Sequence, residues 1–300
     1  MERIGIEEAL IQAAERTGNG NYLITPDAVL VLQSDETEQQ LLSKQEPFYF
    51  DEGRLLRVKQ GSLQMKMNLE QIDLREHDIL MFPPRSIVEP LKSSDDLQTE
   101  VLVLKALPGI TAEQHQTLLP HGVMHLHLVE NDWQRQAAYF ALLADLMRQG
   151  GRQRVGEPCS GMREAVSHLI ISMLHDLQHI SQVQRQRETG GKSSRGELLF
   201  HRFLSLANEH GFRERNVTFY SEQLLITPNH LSAIVRQQSQ RTVLSWVTER
   251  TLAEAKILLR HSNLMMYGIA ERLNFSEHSA FSLFFKKHTG LSPLKYRERG

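Results

Sequence analysis

Residues 218–297 carry one pattern twice, and few folds can accommodate that duplication. The first copy is Tyr220-Ser-Glu-Gln-Leu-Leu-Ile-Thr-Pro-Asn-His-Leu-Ser-Ala-Ile-Val-Arg236. The second is Ile269-Ala-Glu-Arg-Leu-Asn-Phe-Ser-Glu-His-Ser-Ala-Phe-Ser-Leu-Phe-Phe-Lys286. Each reads as a short amphipathic helix, a tight turn at Ile226-Thr227 or Phe275-Ser276, and a second helix ending in basic residues. Leu224 and Leu273 match at one offset, Leu231 and Phe281 at an offset one larger, so the second turn holds one extra residue. Helix, turn and helix is the plan whose second helix enters the DNA major groove. Two such units predict a DNA-binding chain.

The charge distribution agrees. The 300 residues carry a net charge of −2. Residues 192–300 hold 16 Lys/Arg against 9 Asp/Glu, whereas the rest hold 18 against 27. A basic module joined to an acidic one is expected when only the first meets a polyphosphate. The single cysteine, Cys159, excludes an intramolecular disulfide and fits a reducing compartment. The start, Met1-Glu-Arg-Ile-Gly-Ile, lacks the layout of a secretory signal. The longest apolar runs, such as Leu169-Ile-Ile-Ser-Met-Leu174, fall far short of a membrane span. A cytoplasmic protein is the expectation.

Upstream, short apolar runs alternate with turn signals. Candidate strands are 28–32, 47–50, 55–59, 63–69, 79–82, 87–91 and 100–104, separated at Asp51-Glu-Gly53, Gln60-Gly61, His77-Asp78 and Pro83-Pro84. Seven short strands at this spacing predict a small β-barrel or double-stranded β-helix over about 20–110. From Asp132 the period becomes helical, with Trp133, Ala137, Phe140, Leu143 and Met147 in step until Gly150-Gly151. A second helix over about 161–187 carries Met162, Val166, Leu169, Met173, Leu177 and Ile180 at steps of three and four. That stripe suits either a dimer seam or packing on its own barrel. Residues 188–196 are polar and glycine-rich, the composition of a linker. The remainder, 197–300, reads as all-α: a lead helix closed by Gly211, then a long helix capped by Thr242 that joins the two repeats. The expected class is α+β, with an N-terminal sensor and dimerisation module over 1–187 and a C-terminal DNA-binding module.

The repeats resemble the AraC/XylS family of bacterial transcription regulators. The resemblance rests on Phe285-Lys-Lys-His-Thr-Gly-Leu-Ser-Pro-Leu-Lys-Tyr-Arg297, on Ile269-Ala-Glu-Arg-Leu and Phe275, and on Arg250 and Ala255-Lys-Ile-Leu-Leu259 of the connecting helix. It covers about a third of the chain. The resemblance implies sequence-specific binding to promoter DNA as a homodimer, contact with RNA polymerase, and control by a small effector in a cupin-like N-terminal barrel. Two departures stand out. The family often has arginine where this chain has Ala233 and Leu283, and glycine where it has Asn274. Asparagine tolerates the left-handed turn conformation. Base readout then falls to shorter groups, Asn229, His230 and Ser232 in the first unit and Glu277, His278, Ser279 and Ser282 in the second. Thr227 and Ser276 read as helix caps.

Arg236, Arg241, Lys286, Lys287, Lys295 and Arg297 are the candidate phosphate contacts, which supply register and salt-dependent affinity. Leu224, Leu231, Ile234, Leu273, Phe281 and Phe285 should be core. Phe48, Phe50, Arg54, Arg57, Met65, Met67 and Phe82 are the candidates for an effector pocket inside the barrel. His121, His125 and His127 could bind a transition metal, but residues 48–110 contain only His77 to complete a cupin site, so no metal or other cofactor is expected. Cys159 and Ser160 lack a nucleophile motif, there is no phosphate-binding glycine loop, and no catalytic residue is assigned. Two readings compete with a regulated DNA binder. One is a cupin-type metal protein or enzyme with a DNA-binding tail, and the other a constitutive DNA binder that takes no effector.

Overall fold

The computed structural model describes residues 22–25, 28–33, 47–50, 52–68, 70–84, 86–104, 123–151, 160–189 and 195–298. The N-terminal half holds ten described strands: β1 (Tyr22–Ile24), β2 (Ala28–Val31), β3 (Phe48–Tyr49), β4 (Gly53–Gln60), β5 (Ser62–Met67), β6 (Glu70–Arg75), β7 (Asp78–Phe82), β8 (Ile87–Ser93), β9 (Gln98–Leu104) and β10 (Met124–His127). They form two antiparallel sheets, one ordered β1-β2-β9-β4-β7-β10 and the other β3-β8-β5-β6.

Burial explains why these strands do not make the single closed barrel expected from spacing. Every residue of β2 and β7 is buried, and six of the seven in β9. A barrel strand alternates between an inner and an outer face, whereas strands apolar at successive positions need cover on both. The larger sheet has it. Leu55, Ile79, Met81, Leu102 and Leu104 face two helices. Val58, Leu80 and Phe82 meet Leu63, Met65, Met67, Leu74 and Val88 of the smaller sheet. In the smaller sheet, β5 alternates as a one-faced strand should. Three strands escape the run-and-separator reading. β1 has three residues, β6 offers only Ile72 and Leu74 as apolar positions, and β10 lies beyond the expected barrel.

The covering helices are α1 (Glu130–Gly151) and α2 (Ser160–Thr189), antiparallel and joined by Arg135–Asp176 at 2.8 Å and Tyr139–Ser172 at 3.2 Å. On α2, Val166, Met173, Leu177 and Ile180 are buried in the core shared with the larger sheet, and Leu169 is half-buried against it. Met162 is half-buried. The stripe proposed as a dimer seam is therefore covered by the protein's own sheet, without a second copy. α2 continues to Thr189 and α3 (Arg195–His210) starts at Arg195, so both ends of the expected linker are helical.

Beyond α3 come α4 (Val217–Gln223), α5 (Pro228–Ser239), α6 (Val243–His261), α7 (Met266–Arg272), α8 (His278–Thr289) and α9 (Pro293–Glu298). The pairs α4–α5 and α7–α8 repeat one another bond for bond. The amides of Leu224, Leu225 and Ile226 donate to Tyr220, Glu222 and Ser221, as those of Leu273, Asn274 and Phe275 donate to Ile269, Glu271 and Ala270. Leu225 and Asn274 occupy the left-handed region at φ 56° and 57°. The extra residue of the second turn falls after these bonds, between Phe275 and α8. The repeat also runs further than the sequence pattern suggests. Gln240 and Gly290 close α5 and α8 in the left-handed conformation. Thr242 then caps α6 through the Ser245 amide at 3.1 Å, as Ser292 accepts from the Lys295 amide at 3.3 Å. Trp246 and Tyr296 are thus equivalent, and α9 is the second copy of the start of α6.

α6 serves both units. Val243, Trp246 and Val247 join the first core with Leu231, Ile234, Val235 and the α3 phenylalanines Phe200 and Phe203. Ala255, Leu258 and Leu259 join the second with Ile269, Leu273, Phe281 and Phe285. Leu244 is 55% exposed, because Val243 and Trp246 take the inner positions of the capped turn. Midway, Arg250 donates from Nε to the Asn208 carbonyl at 3.0 Å and pairs with Glu254 at 2.9 Å, both buried. Thr251 donates to the Gly211 carbonyl at 2.8 Å. Gly211 is required there, since a Cβ would lie 2.3 Å from the Ala207 carbonyl oxygen. Ile87 and Tyr49 of the smaller sheet pack on Ala253 and Ile257 of α6, which brings the N-terminal half against the connector.

Candidate nucleic-acid interface

Both second helices divide into an inner apolar row and an outer row of different chemistry. On α5, Leu231, Ile234 and Val235 are buried, while Asn229, His230, Ser232, Ala233 and Arg236 are exposed. On α8, Phe281 and Phe285 are buried, while His278, Ser279, Leu283, Lys286 and Lys287 are exposed, with Ser282 half-buried. All six residues expected as core in the two repeats are buried. The outer rows coincide: Asn229, Ala233 and Arg236 occupy the positions of Ser279, Leu283 and Lys286, at the i, i+4, i+7 spacing of one helix face.

The helix starts differ. Thr227 caps α5, its hydroxyl accepting from the His230 amide at 3.2 Å, and Pro228 fills the first turn, where a missing N–H costs nothing. The N-cap of α8 is Glu277, one residue later than the expected Ser276. The extra turn residue causes the shift. Glu277 makes no side-chain bond to the helix backbone; its carboxylate accepts from the Ser279 hydroxyl at 2.9 Å. Two of the expected readers of the second unit are thus tied to each other.

The phosphate candidates separate similarly. Arg236, Lys286, Lys287 and Lys295 are exposed. Arg241 lies over Trp246, 4.0 Å from the ring centroid, and pairs with Glu249. Arg297 donates to the Leu259 carbonyl at 3.2 Å, closing α9 onto the end of α6. These two arginines hold the fold, and the motif spacing alone could not show that.

A contact without a sequence signal joins the two units. Arg215, in the loop before α4, donates to the carbonyls of Leu273 and Asn274 at 2.6 and 2.5 Å and lies 4.0 Å above the Phe275 ring. Asn274 returns a bond from its amide to the Arg213 carbonyl at 3.2 Å. The asparagine that replaces the usual turn glycine thus also ties the second turn to the entry of the first unit. Burial lowers the Arg215 pKa, and Glu214 opposes that shift. The clamp's acceptors are main-chain carbonyls 58 and 59 residues away.

In the N-terminal half, Phe48, Met65, Met67 and Phe82 belong to the core between the sheets, with Phe50 packed against it. The Phe48–Phe50 and Phe50–Phe82 centroids lie 5.1 and 6.5 Å apart, and the Arg54 guanidinium is 3.5 Å from the Phe50 centroid. Arg57 departs from the set. It points to the opposite face of the larger sheet, over Trp133 and Phe140 of α1 at 4.1 and 4.7 Å, and pairs with Glu100 at 2.6 Å. Burial lowers the pKa of Arg57, and Glu100 resists. His121 lies outside the described residues. His125 and His127 share the exposed face of β10 and bond the two oxygens of buried Asp78 at 3.1 and 2.7 Å. Burial pushes the Asp78 pKa up, but the bonds from His125, the Arg75 amide and His127 outweigh it and leave the carboxyl below its usual value. His77, at φ 69°, makes the expected turn and stacks on Trp133. Among the described residues, no three His, Cys, Asp or Glu form a group fit for a metal, and no helix is long and apolar enough to cross a membrane.

Comparison with known proteins bears on the same segment. A family model described as a helix-turn-helix domain matches residues 220–299, both repeats together. The arabinose operon regulatory protein of Escherichia coli is 30% identical over 82 residues, 27% of this chain and 28% of its own length. Over this segment the chain is similar to transcriptional regulators of the AraC/XylS family. An uncharacterized helix-turn-helix transcriptional regulator of Escherichia coli, YpdC, is 22% identical to this regulator over 82% of its length and 80% of the relative's. The activator RhaR of Cronobacter sakazakii is 28% identical over 47% of the regulator and 50% of the relative. This chain thus covers half or less of the arabinose regulator and RhaR. Among solved structures, the DNA-binding domain of AdpA in complex with a target DNA aligns over 33% of the regulator and 90% of that chain, at 21% identity and a TM-score of 0.31. ToxT from Vibrio cholerae aligns over 83% and 90%, at 12% identity and a TM-score of 0.39.

Proposed function

We propose that this regulator reads promoter DNA with two recognition helices, α5 and α8, laid in successive major grooves on one face of the duplex. The observation that carries this reading is the coincidence of the two outer rows. Equivalent positions of both helices are exposed and end in cations, Arg236 and Lys286-Lys287, opposite two cores that share α6. Arg236, Lys286, Lys287 and Lys295 supply phosphate contacts, and Asn229, His230, Ser232, His278, Ser279, Ser282 and Glu277 the polar readout.

The N-terminal half is the sensor. A small effector enters between the two sheets, where Arg54 provides a cation beside Phe48, Phe50, Met65, Met67 and Phe82. Its binding is felt at α6 through the Ile87–Ile257 contact, and it acts to the extent that it favours one arrangement of the two halves. A homodimer, if formed, uses the outer faces of α1 and α2, since the inner stripe of α2 is occupied.

Genome-wide mapping of sites bound by the intact chain, beside a Lys286→Ala/Lys287→Ala variant, tests the reading. Discrete promoter sites that fade in the variant are expected. Binding without sequence preference, equal for both proteins, contradicts it. A constitutive binder remains distinguishable, because its affinity for those sites ignores every candidate effector.

A further inference from the structure

Leu283 belongs to neither core of the two helix-turn-helix units. It stands 71% exposed in the middle of the outer row of α8, one helical turn after Ser279 and one before Lys286 and Lys287, while Phe281 and Phe285 fill the core beneath. A leucine this exposed adds little apolar burial to the fold, and its place in the middle of the basic outer row presents its side chain to whatever that row meets. The neighbouring lysines state the partner's charge, a polyanion. The one apolar knob that the major groove presents is the C5 methyl of thymine. We propose that Leu283 reads a thymine methyl and fixes that base in the half-site of the second unit. This inference rests on the DNA-binding reading and adds its base specificity.

The first unit supports the assignment by contrast. Ala233 fills the equivalent position with a single methyl of short reach, and the preceding outer residue is Asn229, whose amide can make two bonds to adenine. In the second unit, the preceding residue is Ser279, already engaged with Glu277, so the polar contribution is weaker where the apolar one is stronger.

The test uses the full chain and an operator obtained by selection from random duplex. Each thymine of the half-site is replaced in turn by deoxyuridine, which removes only the methyl, and affinity is read by fluorescence anisotropy. One position should lose about fourfold, the worth of one buried methyl. That loss should vanish in Leu283→Ala, a change at an exposed helical position that leaves the core intact. Leu283→Arg should move the preference at the same position towards guanine. Selective binding with no deoxyuridine effect, or with equal effects in both proteins, overturns the methyl assignment alone. No selective binding by any variant overturns the DNA-binding reading along with it.

Discussion

The two repeats share their main-chain bonds and differ in most of the side chains that face outward. The recognition helix of the first unit buries an aliphatic row, Leu231, Ile234 and Val235, is capped by Thr227, and presents Asn229, Ala233 and Arg236. The second is built on phenylalanine, with Phe281 5.6 Å from Phe275 and 5.9 Å from Phe285, has Glu277 at its cap, and presents Ser279, Leu283, Lys286 and Lys287. Duplication thus kept what positions a helix and released what the helix reads. On the proposed reading the lesson is a division of labour: the second unit would supply more electrostatic grip and an apolar contact, and the first the more directional polar contact.

The largest expected effect separates grip between the units. Lys286→Ala/Lys287→Ala should weaken operator binding about 100-fold at moderate salt and reduce the slope of log K against log salt by about 2, against about tenfold and about 1 for Arg236→Ala. Anisotropy titrations over a salt series check this, and equal losses in the two variants would break the comparison. Next, Asn229→Ala should cost about 1–3 kcal/mol at one base pair and relax specificity there, whereas Ser279→Ala should cost less, its hydroxyl being shared with Glu277. Repeating the operator selection with each variant reads that difference.

A smaller effect concerns the join. Arg215→Ala removes two charge-assisted bonds between the units, so binding to a full operator should fall about tenfold while binding to either half-site alone stays unchanged. An equal fall on half-sites would mean that the arginine merely supports the fold. The smallest effect lies in the turns. Leu225 is 92% exposed in the left-handed region, so Leu225→Gly should stabilise the chain by about 0.5–1 kcal/mol in urea denaturation. Asn274→Gly should not, because it forfeits the bond to Arg213.

Much of this organisation is legible in the sequence because its determinants are local. Leu224 and Leu231 against Leu273 and Phe281 reveal the repeat and its extra turn residue. Thr227 and Thr242 announce helix starts, and the polar-apolar alternation of β5 shows a one-faced strand. Other features depend on contacts between distant residues. Arg57 sits in a run, Arg54-Leu-Leu-Arg57, whose facing cannot be phased when both sides of the strand are buried, so the sequence pattern does not separate it from Arg54 although the two point oppositely. The partners of Arg215 are carbonyls, which leave no residue-type signature. Arg241 and Arg297 look like free cations until Glu249 and the Leu259 carbonyl are seen beside them. The stripe on α2 shows that something covers it; only the larger sheet shows what.

Hydroxyl-radical footprinting of the full chain on its selected operator tests the central claim most directly. The account predicts two protected backbone segments on one face of the duplex, their centres about 10–10.5 bp apart, with the segment assigned to α8 lost first in the Lys286→Ala/Lys287→Ala variant. A single protected segment, or two on opposite faces, would contradict it.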